Sequence, residues 1–438
     1  MKTIPAFFFF LIFIIIWGCG PSHKISGYAK QNVLQKNGLA NAHIGISIYE
    51  PSGKKYWYSH QHKKYFIPAS NVKIATTYAA LKYLGNRIKG LKYEEHDNTI
   101  VIEGTGDPTF LHPDFKNQAV LEFLRGKRHI LINTENWKDN KWGLGWAWDD
   151  YNEGYMTERS ALPVYGNVVK LMKDTSAGTR GSKLIAYPSY FQDSLVYADD
   201  EPLTDSVDVK RAFNKNQFFI NSSSVLFTSK NIPFVTNSFE TSRKLLRDTL
   251  KTDIRASYYE IKNPGIVISY PLDSVLKPMM HRSDNFLAKQ TLLMVSNEVL
   301  NVMNDEKIID TILKTDFKNL PQKPRWVDGS GLSRYNLFSP QDFVFILNKM
   351  KDEFGMERMK AIFPTGNSGT LKNYYVADSN FIYAKTGVMS GVLSLSGYLY
   401  TKKNKLLVFS VLVNNHTTSV TEVRRAIEVF LKEIINEY

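Results

Sequence analysis

The alternation of apolar and polar positions predicts strands at both ends of the chain and an amphipathic helix after the last of them. Period-two patterns of this kind are typical of strands in a sheet. The predicted strands are residues 42–49 and 55–60 near the start and residues 393–400 and 406–414 near the end. The terminal helix is predicted from Val420 to Ile435. This order favours one antiparallel sheet built from both ends of the chain and flanked by helices.

Between these ends, but outside residues 97–265, the pattern predicts three helices that bear on the site. The first starts near Ser70 and ends near Gly85, and the second spans Phe286 to Val295. The third begins at Ser339, because a serine cap followed by proline is typical of a helix start. The intervening stretch, residues 97–265, has a mixed pattern of short strands such as 99–103 and a helix near 238–250. Its Ser- and Gly-rich part, residues 176–183, is predicted to be a surface loop.

Ser70 and Lys73 are the first candidates for chemistry. Residues three apart lie on one face of a helix, so the lysine amine can reach the serine hydroxyl. A hydroxyl becomes a useful nucleophile when a neighbouring base takes its proton, and a buried lysine loses its own proton more readily. The apolar residues that follow predict such burial. They are Ile74, Ala75, Tyr78, Ala79, Ala80, Leu81 and Leu84.

The same spacing occurs twice more in the chain. Ser52 and Lys55 lie in a predicted hairpin turn. Ser274 and Lys277 precede Pro278, which predicts that their helix stops before it buries the lysine. Neither pair is therefore expected to form a catalytic site.

Two later segments single out the first pair. Ser283-Asp284-Asn285 opens the second helix, and Lys385-Thr386-Gly387 follows an apolar run and occurs once in the chain. Ser-x-x-Lys, Ser-x-Asn and Lys-Thr-Gly, in this order, match the motif set of penicillin-binding proteins and serine β-lactamases.

The motifs predict a division of labour. Ser70 attacks a carbonyl and Lys73 takes its proton. Ser283 relays a proton between Lys73 and the leaving nitrogen, and Asn285 holds a peptide carbonyl and orients Lys73.

The third motif is expected to bind the substrate. Lys385 is expected to add a fixed positive charge and, with Thr386, to bind a substrate carboxylate. Gly387 allows a close backbone approach. The backbone N–H groups of Ser70 and Val388 are candidate oxyanion donors.

The chain resembles the D-alanyl-D-alanine carboxypeptidase/endopeptidases of the penicillin-binding protein 4 type, peptidase family S13. Three further segments carry this resemblance, namely 328–334 (DGSGLSR), 366–371 (GNSGTL) and 104–109 (GTGDPT). It implies an α/β (α+β) fold of the serine β-lactamase/DD-peptidase type, with an antiparallel sheet flanked by helices. A large mixed insert between the first and second motifs is also implied.

The resemblance further implies which residues line the substrate pocket. These are Val388, Met389 and Ser390 after the third motif, Arg334, and acidic and aromatic residues of the insert, for which Trp148, Asp150 and Tyr155 are candidates. The alternative for Trp148 and Tyr155 is packing in the insert's own core. Val388 stands where relatives frequently have threonine, which bears on fine specificity.

The N-terminus predicts export. Ala6 to Trp17 is an apolar run suited to a signal peptide, and it ends just before Cys19, the only cysteine. Lipidation of Cys19 after removal of residues 1–18 is the favoured interpretation. An uncleaved anchor and an ordinary signal peptide are the alternatives. A single cysteine excludes an internal disulfide.

The net charge of +13 suits an anionic partner. No basic helix, zinc spacing or RNA-binding motif indicates nucleic acid, and we expect neither cofactor nor metal. The expected partners are peptidoglycan stem peptides, β-lactams as acylating inhibitors, and a membrane that holds the lipid anchor on its periplasmic side in a bacterial cell envelope.

The expected function is therefore serine-type D-Ala-D-Ala carboxypeptidase/endopeptidase activity through an acyl-enzyme on Ser70. The alternatives are a β-lactamase or esterase on the same fold and an inactive peptidoglycan-binding scaffold. The expected organisation is a signal peptide (1–18), a tether and N-terminal helix (19–38), a catalytic domain in two parts (39–96 and 266–438) and the insert (97–265).

Overall fold

The computed structural model describes residues 21–174, 183–197 and 206–438. Cys19, the apolar run before it and most of the predicted loop at 176–183 lie outside these residues. Among the described helices, none is both long and apolar enough to cross a membrane.

The secondary structure follows the predicted pattern at both ends and in the catalytic helices. The helices are α1 (Pro21–Ala29), α2 (Val72–Tyr83), α3 (Ala119–Leu124), α4 (Glu240–Leu250), α5 (Leu272–His281), α6 (Asn285–Leu300), α7 (Asp305–Lys314), α8 (Pro340–Phe354), α9 (Met356–Ile362) and α10 (Val420–Glu437). The strands are β1 (His43–Glu50), β2 (Lys55–His60), β3 (Arg87–His96), β4 (Thr99–Gly104), β5 (His129–Asn133), β6 (Val168–Lys173), β7 (Leu184–Tyr187), β8 (Leu195–Tyr197), β9 (Ser206–Arg211), β10 (Phe218–Leu226), β11 (Ser229–Pro233), β12 (Asp253–Ser257), β13 (Gly265–Pro271), β14 (Ile382–Met389), β15 (Val392–Tyr400) and β16 (Leu406–Asn414).

A five-stranded antiparallel sheet joins the two ends of the chain in the order β14-β15-β16-β1-β2. Both of its faces are covered. Along β16, Val408 and Leu412 face the core that contains α2, α6 and α8. Phe409 and Val411 face the opposite core, which contains α1 and α10. Alternate side chains of a strand point to opposite faces, so helices on both sides explain why the strand is apolar at nearly every position.

Helix α2 lies in the centre of the first core. Its residues from Val72 to Leu81 are all buried, and it packs against α5, α6 and α8. A helix that is buried all round needs no polar face, which fits the apolar run predicted after Ser70.

One predicted helix end is wrong. Pro278 lies inside α5, which continues to His281. The apolar side chains of α5, including Leu276 and Met279, are buried in the first core, and this burial offsets the hydrogen bond that proline cannot donate. Ser274 and Lys277 are both exposed, so this pair is unsuited to base catalysis for a different reason.

The segment between the first two motifs has its own core. A second five-stranded sheet has the order β12-β5-β4-β3-β13, and two three-stranded sheets accompany it. Leu91, Ile102 and Ile132 belong to the hydrophobic cluster of this region. Strand β3 pairs with β4 and β13 although it precedes residue 97. The division of the chain at residues 96 and 97 stays a prediction.

Candidate active site

Ser70 lies on a short 3-10 turn, Ala69–Asn71, that leads directly into α2. The preceding residue, Ala69, has a positive φ of 46°, a conformation that costs free energy for a residue other than glycine. Lys73 follows one turn later and is fully buried, while Ser70 keeps partial exposure. The turn therefore presents a hydroxyl to solvent with an amine beneath it.

The Lys73 amine is held by three acceptors. Its Nζ donates to Ser70 Oγ at 2.9 Å, to Asn285 Oδ1 at 2.7 Å and to the backbone oxygen of Ser330 at 2.6 Å. Burial lowers the pKa of Lys73 to about 7, against the opposing charges of Asp328 and Asp284. A pKa in this range is what a general base needs at neutral pH.

The second motif lies at the start of α6. Asp284 caps the helix, because its Oδ1 accepts from Leu287 N at 3.0 Å. Ser283 precedes the helix with a φ of 59°. Asn285 reaches Lys73 with its oxygen, and its Nδ2 donates to the backbone oxygen of Tyr155 at 3.2 Å.

The third motif lies within β14, on the edge of the main sheet. Lys385 is fully buried, and its Nζ donates to Ser283 Oγ at 2.8 Å and to the Thr386 backbone oxygen at 2.6 Å. Burial, followed by the positive charges of Lys73 and Arg424, lowers the pKa of Lys385 well below its ordinary value. Burial thus opposes the fixed positive charge expected of Lys385, and that role stays a prediction.

Two glycines allow backbones to close around the Ser70 turn. A Cβ on Gly387 would lie 2.7 Å from the Pro68 oxygen and 2.9 Å from Ser70 N, and one on Gly331 would lie 1.9 Å from the Ala69 oxygen. Side chains at these positions would displace the turn. The oxyanion roles of the Ser70 and Val388 N–H groups stay a prediction.

Asp328 organises the loop that contains Gly331. Its buried carboxylate accepts from Gly331 N at 2.7 Å, from Ser333 N at 3.0 Å and from Trp146 Nε1 at 2.8 Å. This explains why the DGSGLSR segment folds tightly against the Ser70 turn. It also connects that segment to the loop that contains Trp146.

Ser70 opens into a cleft of about 840 Å³. Most of the predicted pocket residues line it together with Ser70. They are Ser283, Asn285, Asp150, Tyr155, Arg334, Thr386, Val388, Met389 and Ser390. Arg334 also donates to the backbone oxygen of Ser390 at 3.3 Å, which joins two walls of the cleft.

The aromatic prediction is corrected in one place. Trp148 is 71% exposed and does not line the cleft, and its exposure also excludes core packing. Trp146, two residues earlier, lines the cleft instead. Tyr155 lines it as predicted, and burial together with a hydrogen bond to Asp150 raises the pKa of its hydroxyl to about 12.

The residues of the site region that were not predicted include Trp146, Lys289, Thr370 and Arg424. Lys289 stands four residues after Asn285, so helical spacing could have indicated it. It is fully buried, and its Nζ lies 3.8 Å from the centroid of the Trp146 ring and 3.3 Å from the backbone oxygen of Tyr155. Thr370 and Arg424 line the cleft.

A serine in contact with a buried lysine, on this sheet and helix arrangement, defines a serine enzyme of the DD-peptidase and β-lactamase class. The sequence matches the model of the D-Ala-D-Ala carboxypeptidase 3 (S13) family over residues 29–434. The protein therefore belongs to that family.

Similar proteins agree in sequence and fold. The D-alanyl-D-alanine carboxypeptidase DacB of Haemophilus influenzae is 21% identical over 74% of each chain. The D-alanyl-D-alanine carboxypeptidase of Actinomadura sp. strain R39 is 24% identical over 92% of this chain and 83% of its own. The crystal structure of penicillin-binding protein 4 from Haemophilus influenzae superposes with a TM-score of 0.73 at 19% identity, covering 94% of this chain and 98% of that one. Another crystal structure of that protein is a complex with a β-lactam.

Proposed function

We propose that this protein is a serine DD-peptidase that acts on the D-Ala-D-Ala ends of peptidoglycan stem peptides. The observation that carries the proposal is the 2.9 Å contact between Ser70 Oγ and the buried Nζ of Lys73. As a carboxypeptidase, the enzyme releases the terminal D-Ala. As an endopeptidase, it cuts the cross-link between D-Ala and diaminopimelate.

The proposed mechanism begins with proton transfer from Ser70 to Lys73. The Ser70 oxygen then attacks the carbonyl of the penultimate D-Ala, and the N–H groups of Ser70 and Val388 stabilise the oxyanion. Ser283, which accepts from Lys385, relays the proton held by Lys73 to the leaving nitrogen, and the bond to the terminal residue breaks. Water then hydrolyses the acyl-enzyme.

Substrate contacts are proposed for the lining residues. The Asn285 amide holds a peptide carbonyl, and Thr386 binds the terminal carboxylate at a site that Gly387 keeps narrow. The stem peptide lies between several walls of the cleft. One wall is formed by Val388, Met389 and Ser390, and the others by Arg334 and Asp150. Their shared cleft with Ser70 supports this assignment.

Labelling with penicillin tests the nucleophile. We expect incubation with benzylpenicillin to add one penicilloyl group to the wild-type protein and none to Ser70→Ala, as measured by intact-mass spectrometry. Ser274→Ala is the matched control, because Ser274 has the same spacing to a lysine but is exposed. It should retain the adduct. A wild-type protein without adduct, or an adduct that persists in Ser70→Ala, would refute the proposal.

Two further measurements separate the alternatives. Rapid release of the penicilloyl group would favour a β-lactamase, and a long-lived adduct favours the peptidase. Binding of peptidoglycan without release of D-Ala from a diacyl-D-Ala-D-Ala peptide would indicate an inactive scaffold.

We also propose the domain division given above and lipidation of Cys19 in the cell envelope, with the periplasmic side of a membrane as the location. The apolar run from Ala6 to Trp17 before the single cysteine supports the anchor. Mass analysis of the mature N-terminus in the membrane fraction tests it, since an unmodified Cys19 would refute it.

A further inference from the structure

Arg424 lies on α10 and lines the same cleft as Ser70. Thr370, on the 3-10 turn Gly369–Leu371, and Thr386, on β14, line that cleft as well. Three elements that are distant in sequence therefore bring one guanidinium and two hydroxyl groups to the nucleophile's cleft.

Two polar atoms of this group are buried without a hydrogen-bond partner. They are Nε of Arg424 and Oγ1 of Thr370. Buried polar groups are usually satisfied, and an unsatisfied one indicates a missing partner. Within the part of the chain that the structure describes, Arg424 pairs with no carboxylate. Its guanidinium packs on the ring of Tyr374, and the Cζ atom of Arg424 lies 5.4 Å from the centroid of that ring.

The neighbouring Arg425 differs from Arg424 in having partners within the protein. It packs on the same Tyr374 ring at 4.3 Å, but it is exposed, forms an ion pair with Glu428 and donates to the backbone oxygen of Asn373 at 3.1 Å. Arg425 thus has the partners that a structural arginine needs. Arg424 lacks them and lies at the cleft.

The local charge favours an anion. The positive charge of Arg424 contributes to the lowered pKa of Lys385, so the two cations act on the same region. The guanidinium of Arg424 adds a positive charge and paired N–H donors at the cleft. Val388 lines the cleft with an apolar side chain and offers no side-chain donor to an anion.

We propose that Arg424, with the hydroxyl groups of Thr370 and Thr386, binds the carboxylate on the leaving residue of the substrate. This inference rests on the proposed DD-peptidase function. A guanidinium presents paired N–H donors that match the two oxygens of a carboxylate, and the Thr370 hydroxyl gains the partner that the protein does not supply. The site therefore selects substrates in which the leaving nitrogen belongs to a residue with a free carboxylate.

Benzylpenicillin and its methyl ester provide the test. In penicillin, the carbon next to the lactam nitrogen bears a carboxylate, as does the Cα next to the scissile nitrogen of a D-Ala-D-Ala end. The ester keeps the reactive lactam and removes the charge. We would measure the acylation rate of Ser70 with each compound by intact-mass spectrometry, in the wild type, Arg424→Met, Arg424→Lys, Thr370→Val and Arg425→Met. Thermal unfolding of each variant would confirm folding.

We expect the wild type to react about tenfold to a hundredfold faster with the acid than with the ester. Arg424→Met should lose this preference through a slower reaction with the acid, while its reaction with the ester changes by less than about threefold. Arg424→Lys should restore part of the preference, because it keeps a charge but not the paired donors. Thr370→Val should lower only the acid rate, and Arg425→Met should match the wild type.

Other outcomes overturn the inference. One is that Arg424→Met slows acylation by both compounds equally, or slows neither. Another is that Arg425→Met slows acylation by the acid as much as Arg424→Met does. The last is a wild type that reacts equally fast with the acid and the ester. If the wild type forms no adduct with either compound, the proposed function itself fails, which is a different result from a wild type that is acylated without preference.

Discussion

At the scale of single residues, the two buried lysines of the site differ in their surroundings. Lys73 contacts the hydroxyl of Ser70 and the side chain of Asn285, and carboxylates near it oppose the effect of burial on its pKa. Lys385 contacts Ser283 and experiences further positive charge from Lys73 and Arg424. Lys73 is therefore suited to accept the Ser70 proton, whereas Lys385 is suited to orient Ser283.

The pKa of Lys73 predicts how acylation depends on pH. The neutral amine is the active base, and its fraction increases as the pH rises through about 7. We expect the acylation rate with benzylpenicillin to rise about tenfold per pH unit below this value and to level off above it. Rapid-quench mass spectrometry from about pH 5 to about pH 9, a range that brackets this pKa, would measure it.

Lys73→Arg is the control for this profile. An arginine keeps the positive charge and stays protonated throughout the range, so the rate should be low at every pH and should no longer rise near neutrality. A wild-type profile that begins to level only near about pH 10, the ordinary range of a lysine, would contradict the assignment of Lys73 as the base.

At the scale of elements, the site depends on how closely three segments approach one another. The Ser70 turn, the loop 328–334 and strand β14 meet with backbone atoms in contact, and glycines occupy the contact points Gly331 and Gly387. Asp328 fixes the loop by accepting from its backbone N–H groups. The position of Ser70 is thus set by neighbouring segments as well as by its own helix.

Gly331→Ala should disable the site more than it destabilises the fold. The added Cβ would lie 1.9 Å from the Ala69 oxygen, and the φ of 81° is itself unfavourable for alanine. We expect acylation by penicillin to be slower by about a hundredfold or more, because a shift of about 1 Å at a nucleophile costs roughly that much.

Gly355→Ala is the matched control for this substitution. Gly355 also has a φ of 81°, but no neighbouring segment comes within 4 Å of the position that an alanine Cβ would take. Its positive φ should cost about 1 kcal/mol or more, and acylation should be unchanged. Equal acylation rates in the two variants would show that the close approach at Gly331 does not position Ser70.

At the scale of the whole molecule, a buried ion network joins the insert to the catalytic helices. Arg159 is 3% exposed and contacts Asp139 at 2.8 Å and also Asp305, at the start of α7. Burial raises the pKa of Asp305 to about 7, although Arg159 opposes the shift. The segment between Asp139 and Arg159 contains Trp146, Asp150 and Tyr155, so this network holds one wall of the cleft.

Arg159→Met should destabilise the protein by about 3 to 5 kcal/mol, because it leaves buried carboxylates without their partner. The free energy of unfolding in urea would measure this. Arg125→Met is the control within the insert, since Arg125 pairs with Glu122 three residues earlier and both side chains are exposed. It should cost less than about 1 kcal/mol. Similar costs for both would indicate that Arg159 holds no wall of the site.

Features that depend on neighbours along the chain could be predicted from the amino-acid sequence. Apolar periodicity predicted α2, α6 and the strands of the main sheet, and the cap at Ser339 predicted the start of α8, where the structure shows a capping box with Asp342. The three motifs and their order predicted the family. These signals succeed because the hydrogen bonds and side-chain faces of a helix or strand involve residues only a few positions apart.

Local signals were misleading where packing outweighed them. Pro278 lies within α5 because the helix buries enough apolar surface to tolerate it, and Trp148 points to solvent while Trp146 turns into the cleft and donates to Asp328. Neither outcome follows from the residue type or its neighbours.

The chemistry of the site depends on contacts between segments that are far apart in the chain. The acceptors of Lys73 on Asn285 and Ser330 lie 212 and 257 residues away in sequence, and Arg424 reaches the cleft from the last helix. The pKa of Lys73 depends on complete burial between these elements, and burial is the sum of many long-range contacts. A motif can identify the nucleophile and its base. Their reactivity comes from the exclusion of water around the Lys73 amine and from charged residues that are distant in sequence.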